Sequence, residues 1–140
     1  MARPTYNVIE HTADIGIEVH EPTLEALFAT AAFALFDLQI KTDKVRPTES
    51  VEVEATGGDL VELLVAWLSE LQFQFETKKL VFAEFNVREV TESRARVTCR
   101  GERYERRRHG SLALVKAVTY HQATVEPRDG GWYARLIFDV

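Results

Sequence analysis

The chain has 140 residues, 46% hydrophobic and 28% charged, the composition of one globular domain and not of a disordered or membrane-embedded polymer. Its 17 Lys and Arg stand against 22 Asp and Glu, and the net charge of −5 opposes adhesion to nucleic acid over the whole surface, so any RNA contact must be local. The start Met1-Ala2-Arg3-Pro4-Thr5 lacks an apolar stretch behind it, no run approaches the roughly 20 apolar residues that cross a bilayer, and the lone Cys99 excludes an internal disulfide or thiolate zinc cluster, which together predict a cytoplasmic protein with no signal peptide and no membrane or DNA partner.

Ile15, Ile17 and Val19 alternate with Gly16, Glu18 and His20, the period of a strand with one buried face. After Pro22, residues Leu24, Leu27, Phe28, Ala31, Leu35 and Leu38 recur at three and four, which predicts a helix with a broad apolar stripe and Thr23 as its N-cap. The polar stretch 41–48 contains Pro47 and reads as a loop before a second strand, in which Val51, Val53 and Ala55 alternate with Glu52 and Glu54. Gly57-Gly58 ends that strand. Asp59 and Glu62 then make a capping box, and Leu60, Leu63, Leu64, Trp67, Leu68, Leu71 and Phe75 form the buried face of a second helix.

From Leu80 the period becomes two. Val81, Ala83, Phe85 and Val87 mark one strand and Ala95, Val97 and Cys99 the next, joined as a hairpin at Thr91-Glu92-Ser93. Residues 118–125 and 132–138 predict a further pair across Arg128-Asp129-Gly130-Gly131, whose Asp-Gly tolerates the positive φ of a tight turn. The fold class is α+β: a single compact domain, 1–140, with two amphipathic helices packed on mainly antiparallel or mixed β-sheet. The two strand-helix-strand passages raise an internal duplication, although no residue-level repeat is visible.

No phosphate-binding glycine loop, Gly-x-Ser-x-Gly elbow, His-Glu-x-x-His pair or EF-hand loop is present. What remains is a set of polar residues at strand ends. Asp14, in His11-Thr12-Ala13-Asp14, reads first as a turn cap, since one Asp cannot specify a metal site. Strand alternation runs almost to the end of Leu136-Ile137-Phe138-Asp139-Val140, so the Asp139 carboxylate and the α-carboxylate of Val140 fall close together. If Asp14 joined them, three oxygen donors of like charge would favour a hard divalent cation; the plain alternative is a solvated terminus. Lys116 and His121 flank a short apolar stretch, where a strand histidine sharing a face with Thr119 and Ala123 is ordinarily structural. Arg100, Arg103, Arg106, Arg107, Arg108 and His109, with Tyr104 among them, suit phosphates and a stacked base, an acidic partner, or plain solvent.

Taken together these residues resemble the archease family. Residues 9–17, Ile-Glu-His-Thr-Ala-Asp-Ile-Gly-Ile, resemble its amino-terminal signature, 34–38 the end of its first helix, and 63–75 its Trp-containing second helix. Residues 116–121 resemble its Lys-Ala-Val-Thr-Tyr-His strand, and Phe138-Asp139-Val140 its closing Asp and branched aliphatic residue. The likeness spans nearly the whole chain in order; its departure is an arginine-rich stretch at 103–111. The resemblance implies a protein that is not an enzyme but an activator of the GTP-dependent RNA-splicing ligase, promoting ligase guanylylation and multiple turnover in tRNA splicing, with tRNA met only through the ligase. It further implies a calcium site, or one for another divalent cation, at Asp14, Asp139 and Val140. His11, Lys116 and His121 are the candidate partner-facing residues. The competing expectations are an RNA-binding or chaperone-like modulator acting through the arginine-rich loop, and a metal-dependent hydrolase using Asp14, His11 and His121.

Overall fold

A computed structural model describes residues 3–10 and 14–140 of the chain. In order they form β1 (Asn7–Glu10), β2 (Asp14–Glu21), α1 (Leu24–Asp37), β3 (Glu49–Thr56), α2 (Leu60–Lys78), β4 (Leu80–Val90), β5 (Arg94–Arg103), α3 (Arg106–His109), β6 (Ala117–Arg128) and β7 (Gly131–Asp139). Each strand predicted from alternation is present and is extended at both ends, because ladder hydrogen bonds continue where side-chain alternation fades. The elements without a sequence signal are short: β1, α3 and a 3-10 turn at Thr42–Lys44.

Both long helices start where their caps predict. Thr23 accepts the Ala26 N–H at 3.1 Å, and Asp59 accepts the Glu62 N–H at 2.8 Å. The Glu62 carboxylate reaches back to the Gly58 N–H at 2.7 Å, one residue ahead of the cap, completing a shifted capping box.

The strands make two sheets, β1-β2-β7-β6 and β3-β5-β4, and every pairing among the described residues is antiparallel. The helices bridge them: α1 packs on β2 and β7 of the first sheet and β4 of the second, and α2 on β6 and on β3, β4 and β5. With sheet on two sides, α1 is buried beyond the stripe read from spacing, at Ala32, Ala34 and Phe36 as well. Trp67 of α2 is wholly buried and donates its indole N–H to the Phe28 carbonyl at 3.1 Å, which ties the helices together. The two strand-helix-strand passages are not equivalent. The first, β2-α1-β3, crosses between sheets, whereas β3-α2-β4 stays within one sheet and has β5 inserted between its strands.

A pair of buried amides holds the segment leading to β6 against the helices. Gln39 and Gln72 donate to each other's carbonyl oxygens at 2.7 and 3.0 Å. The Gln39 side chain also accepts the Val115 N–H at 3.1 Å, and Gln72 donates to the Val115 carbonyl at 3.0 Å. Leu112 N–H meets the Gln39 carbonyl at 2.8 Å. These groups lie in a dry interior, where an unpaired donor or acceptor carries its full desolvation cost. Replacing Gln39→Leu strands the Val115 N–H and half of the Gln72 amide, and is expected to lower stability by roughly 2–3 kcal/mol. Urea unfolding of this variant, of Gln72→Leu and of the double variant measures the coupling; strictly additive losses would show that the two amides do not act as a unit.

Candidate functional site

The β2–β7 ladder runs without a break from Glu21 opposite Trp132 to Asp14 opposite Asp139. Ile15, Ile17 and Val19 face the helices together with Phe138, Leu136 and Ala134, so pleat parity sends Asp14 and Asp139 to the opposite face, at the ladder's last rung. Gly16 permits this close seating: a Cβ there would lie 3.0 Å from the Ile137 Cδ1 and 3.3 Å from the Ile9 Cβ. Ile137 lies across the vacant position and is 2% exposed although it is on the face turned from the helices.

Cross-strand partners of this kind have Cβ atoms about 5 Å apart, near enough for two carboxylates to repel. Asp139 is exposed, whereas the Oδ1 of Asp14 is shielded from solvent and accepts no hydrogen bond among the described residues. Neither acid enters an ion pair among those residues. A buried carboxylate oxygen without a donor, beside a second carboxylate, fits an oxygen-seeking cation. The described residues contain no group of three or more His, Cys, Asp and Glu side chains fit for a metal, so a complete coordination shell needs oxygens beyond these two side chains.

β6 extends the row, with Ala117 opposite Asp139. The Lys116 N–H donates to the Asp139 carbonyl at 2.7 Å, and the Thr119 hydroxyl to the Ile137 carbonyl at 3.0 Å, so the final residues of β7 are fastened along both edges. Val140 packs partly buried against the core, and the Lys116 side chain is exposed. His11 lies outside the described residues. His121 does not continue the strand face expected for it. Pairing skips from Thr119 opposite Ile137 to Thr124 opposite Arg135, Gln122 takes a φ of 55°, and His121 is displayed to solvent while Thr119 and Ala123 are half-buried. Arg135 holds the excursion by donating to the Gln122 side chain at 3.0 Å.

The arginine-rich stretch is in part an internal structure, not a solvated loop. Glu102, 7% exposed, accepts the Arg108 guanidinium at 3.0 Å, the His109 Nε2 at 2.9 Å and the Arg46 backbone N–H at 2.9 Å. His109 is wholly buried, and its Nδ1 accepts the Glu105 N–H at 2.9 Å, which leaves Nε2 as the donor. Tyr104 stacks on His109 with centroids 5.8 Å apart and gives its hydroxyl to the Gly110 carbonyl at 2.6 Å, so it is engaged inside the fold. Arg100, Arg103, Arg106 and Arg107 remain exposed. Burial pushes the Glu102 carboxyl up, but the Arg46 N–H, His109 and the Arg108 charge outweigh it and hold the group below the usual range.

Cys99 is buried and its thiol is pushed well up by burial and by Glu52, the environment of an inert structural cysteine. A concavity of about 600 Å³ lies over Phe33, Phe85 and Arg100 and includes neither Asp14 nor Asp139. No helix among the described residues is long and apolar enough to cross a membrane.

Residues 6–140 match the Archease protein family. Among its relatives, the "Protein archease" of Methanopyrus kandleri is 47% identical over 135 residues, covering 94% of this chain and 96% of its own. The protein of the same name from Methanosarcina mazei is 40% identical, covering 96% and 95%. A solution structure of a Methanobacterium thermoautotrophicum protein superposes with a TM-score of 0.82 at 33% identity, covering 96% of this chain and 98% of that one. A Thermotoga maritima crystal structure, described as an archease and possible chaperone, shares the fold at a TM-score of 0.66 and 19% identity, covering 100% and 98%.

Two outcomes follow from this geometry. Asp14→Asn removes one of the two facing charges and is expected to raise stability by roughly 0.5 kcal/mol in the presence of chelator, read by thermal unfolding. Stabilisation by Glu102 is complete above the ordinary carboxyl value of about 4.3 and is lost as pH falls through its lower folded value. Glu102→Gln therefore destabilises at neutral pH, and its deficit against the parent protein narrows in unfolding curves taken from pH 5 down to 3; a constant deficit would contradict this.

Proposed function

Because the chain belongs to the archease family, we propose that it acts, as one domain over residues 1–140, as a non-catalytic activator of the GTP-dependent RNA-splicing ligase. In this role it promotes transfer of GMP from GTP to the ligase, with pyrophosphate leaving, and so supports repeated turnover in tRNA splicing. The observation that carries the reading is the Asp14–Asp139 rung with the unpartnered oxygen of Asp14.

Asp14 and Asp139 would hold the cation, calcium or another hard divalent ion, through their carboxylates, with Val140 contributing terminal oxygens. Bound there, the ion would supply charge neutralisation at the end of β7. Lys116 is placed beside this rung by its backbone bond to Asp139 and His121 faces solvent; these two are the candidates for contact with the ligase, together with His11 of the amino-terminal motif, which lies outside the described residues. Activation requires only that this end of the protein bind the GMP-accepting ligase state more tightly than the alternative. A tenfold population shift needs about 1.4 kcal/mol of such preference.

A chaperone-like or RNA-binding role through the arginine-rich stretch has weaker support, since Arg108, His109 and Tyr104 are committed to internal bonds. A hydrolase built on Asp14, His11 and His121 lacks support for a different reason: His121 sits in the register break of β6, displayed to solvent and off the ladder that holds Asp14.

Purified ligase incubated with GTP and cleaved RNA, with and without this protein, tests the reading by following ligase-GMP and ligated product. Stimulation is expected for the parent protein, with at least about a tenfold loss for Asp14→Ala and for a short carboxy-terminal extension. Normal stimulation by both variants would remove the cation site from the mechanism, and no stimulation by the parent would remove the ligase.

A further inference from the structure

Two grooves flank Glu76 on α2. One, about 280 Å³, is lined by Phe73, Gln72, Lys116 and Val118 and ends beside Ala117, the partner of Asp139. The other, about 330 Å³, is lined by Phe75, Lys79, Tyr104, Arg106 and Leu114. Glu76 lines both, so the two grooves adjoin at its side chain and together make a trough beside α2 interrupted by that one carboxylate. Phe73 in the first groove and Leu114 in the second are 53% and 58% exposed, and both are among the few large apolar side chains that the described residues leave open. Such clustering of apolar anchors is the mark of a contact surface.

The charge of the trough is opposite to that of the chain. Lys79, Arg106 and Lys116 line it against the single carboxylate of Glu76, which already accepts Gln72 at 3.4 Å. Residues 106–125 contain no Asp or Glu at all, although the chain carries −5 overall. The segment beside it is tied down, because Val115 is bonded to the Gln39–Gln72 amide pair and the Leu112 N–H to the Gln39 backbone carbonyl. A fixed apolar trough with a cationic rim complements an amphipathic segment whose polar face is acidic.

We propose that this trough is the docking site for an acidic amphipathic segment of a partner protein. Resting on the reading that a ligase meets the Asp14–Asp139 end, the inference adds which side of the molecule holds it: a segment seated along α2 runs directly to that end. Affinity and placement then come from the trough, and the effect on the partner from the acidic rung.

Hydrogen exchange of the protein with and without the ligase locates the footprint. Protection of 69–76 and 111–118 is expected, and a ligase that binds elsewhere overturns the trough while leaving the activator role standing. Phe73→Ser with Leu114→Ser, both exposed, should weaken ligase binding at least about tenfold with unchanged thermal midpoint and unchanged calcium binding; unaltered affinity also overturns it. If the ligase does not bind, the activator role fails and a separate pair of probes decides the trough: a helical peptide with Leu on one face and Glu on the other, and its Lys counterpart. The Glu peptide should bind at 69–76 and 111–118, weaken with salt and with Arg106→Glu, and outbind the Lys peptide. Equal or better binding of the Lys peptide, displacement by tRNA, or a dimer dissolved by Leu114→Ser would overturn the proposal.

Discussion

The pairing of β2 with β7 is the constraint on which the molecule depends. It joins residues from near the two extremes of the sequence, so its formation closes almost the whole chain into one loop and makes the centre of the first sheet. Its register is over-determined. The Ile15, Ile17 and Val19 set must face the helices, and Gly16 must lie beneath Ile137; a slip of one residue would turn the apolar set to water and carry Asp14 to the core side. The acidic rung is therefore held by hydrophobic burial elsewhere on the same strands, which outweighs the repulsion of two carboxylates by a wide margin.

Around that ladder, two buried polar networks hold parts of the chain that have little regular structure. The Gln39–Gln72 amides secure Val115, and Glu102 gathers Arg46, Arg108 and His109. The amide pair is satisfied, the Glu102 cluster leaves the Arg108 Nε without a partner among the described residues, and both join segments distant in sequence, so each contributes to uniqueness of packing as well as stability. The segment between them, with its open leucines, is shaped from below by polar bonds, and its apolar side chains are left facing outward.

Much of this was legible from periodicity and caps. Alternation located six strands and the Thr23 and Asp59 signals located both long helices, because each rests on contacts within a few residues. The sheet order was not legible: nothing local in β5 states that it lies between β3 and β4. The placement of Asp14 opposite Asp139 is also a long-range fact, reachable in advance only through family resemblance, and it now follows from register. Gln72 carried a missed signal, since it stands four residues after Leu68, at the margin of the apolar stripe where a partner is required. The arginine stretch misled for a physical reason. Charge runs are ordinarily solvated, and no local pattern reveals that Glu102 folds back beneath Arg108 and His109.

The register break in β6 bears on behaviour at high concentration. β6 is the outer strand of its sheet, and an outer strand with a regular row of free N–H and C=O groups is a template on which other chains can assemble. The surplus residues between Thr119 and Thr124 interrupt that row midway, and Gln122 fixes the interruption in a left-handed turn. The opposite margin, β1, is only four residues long. Both borders of this sheet are thus poor seeds for intermolecular strand growth, a protection against fibril formation that is written into the backbone itself.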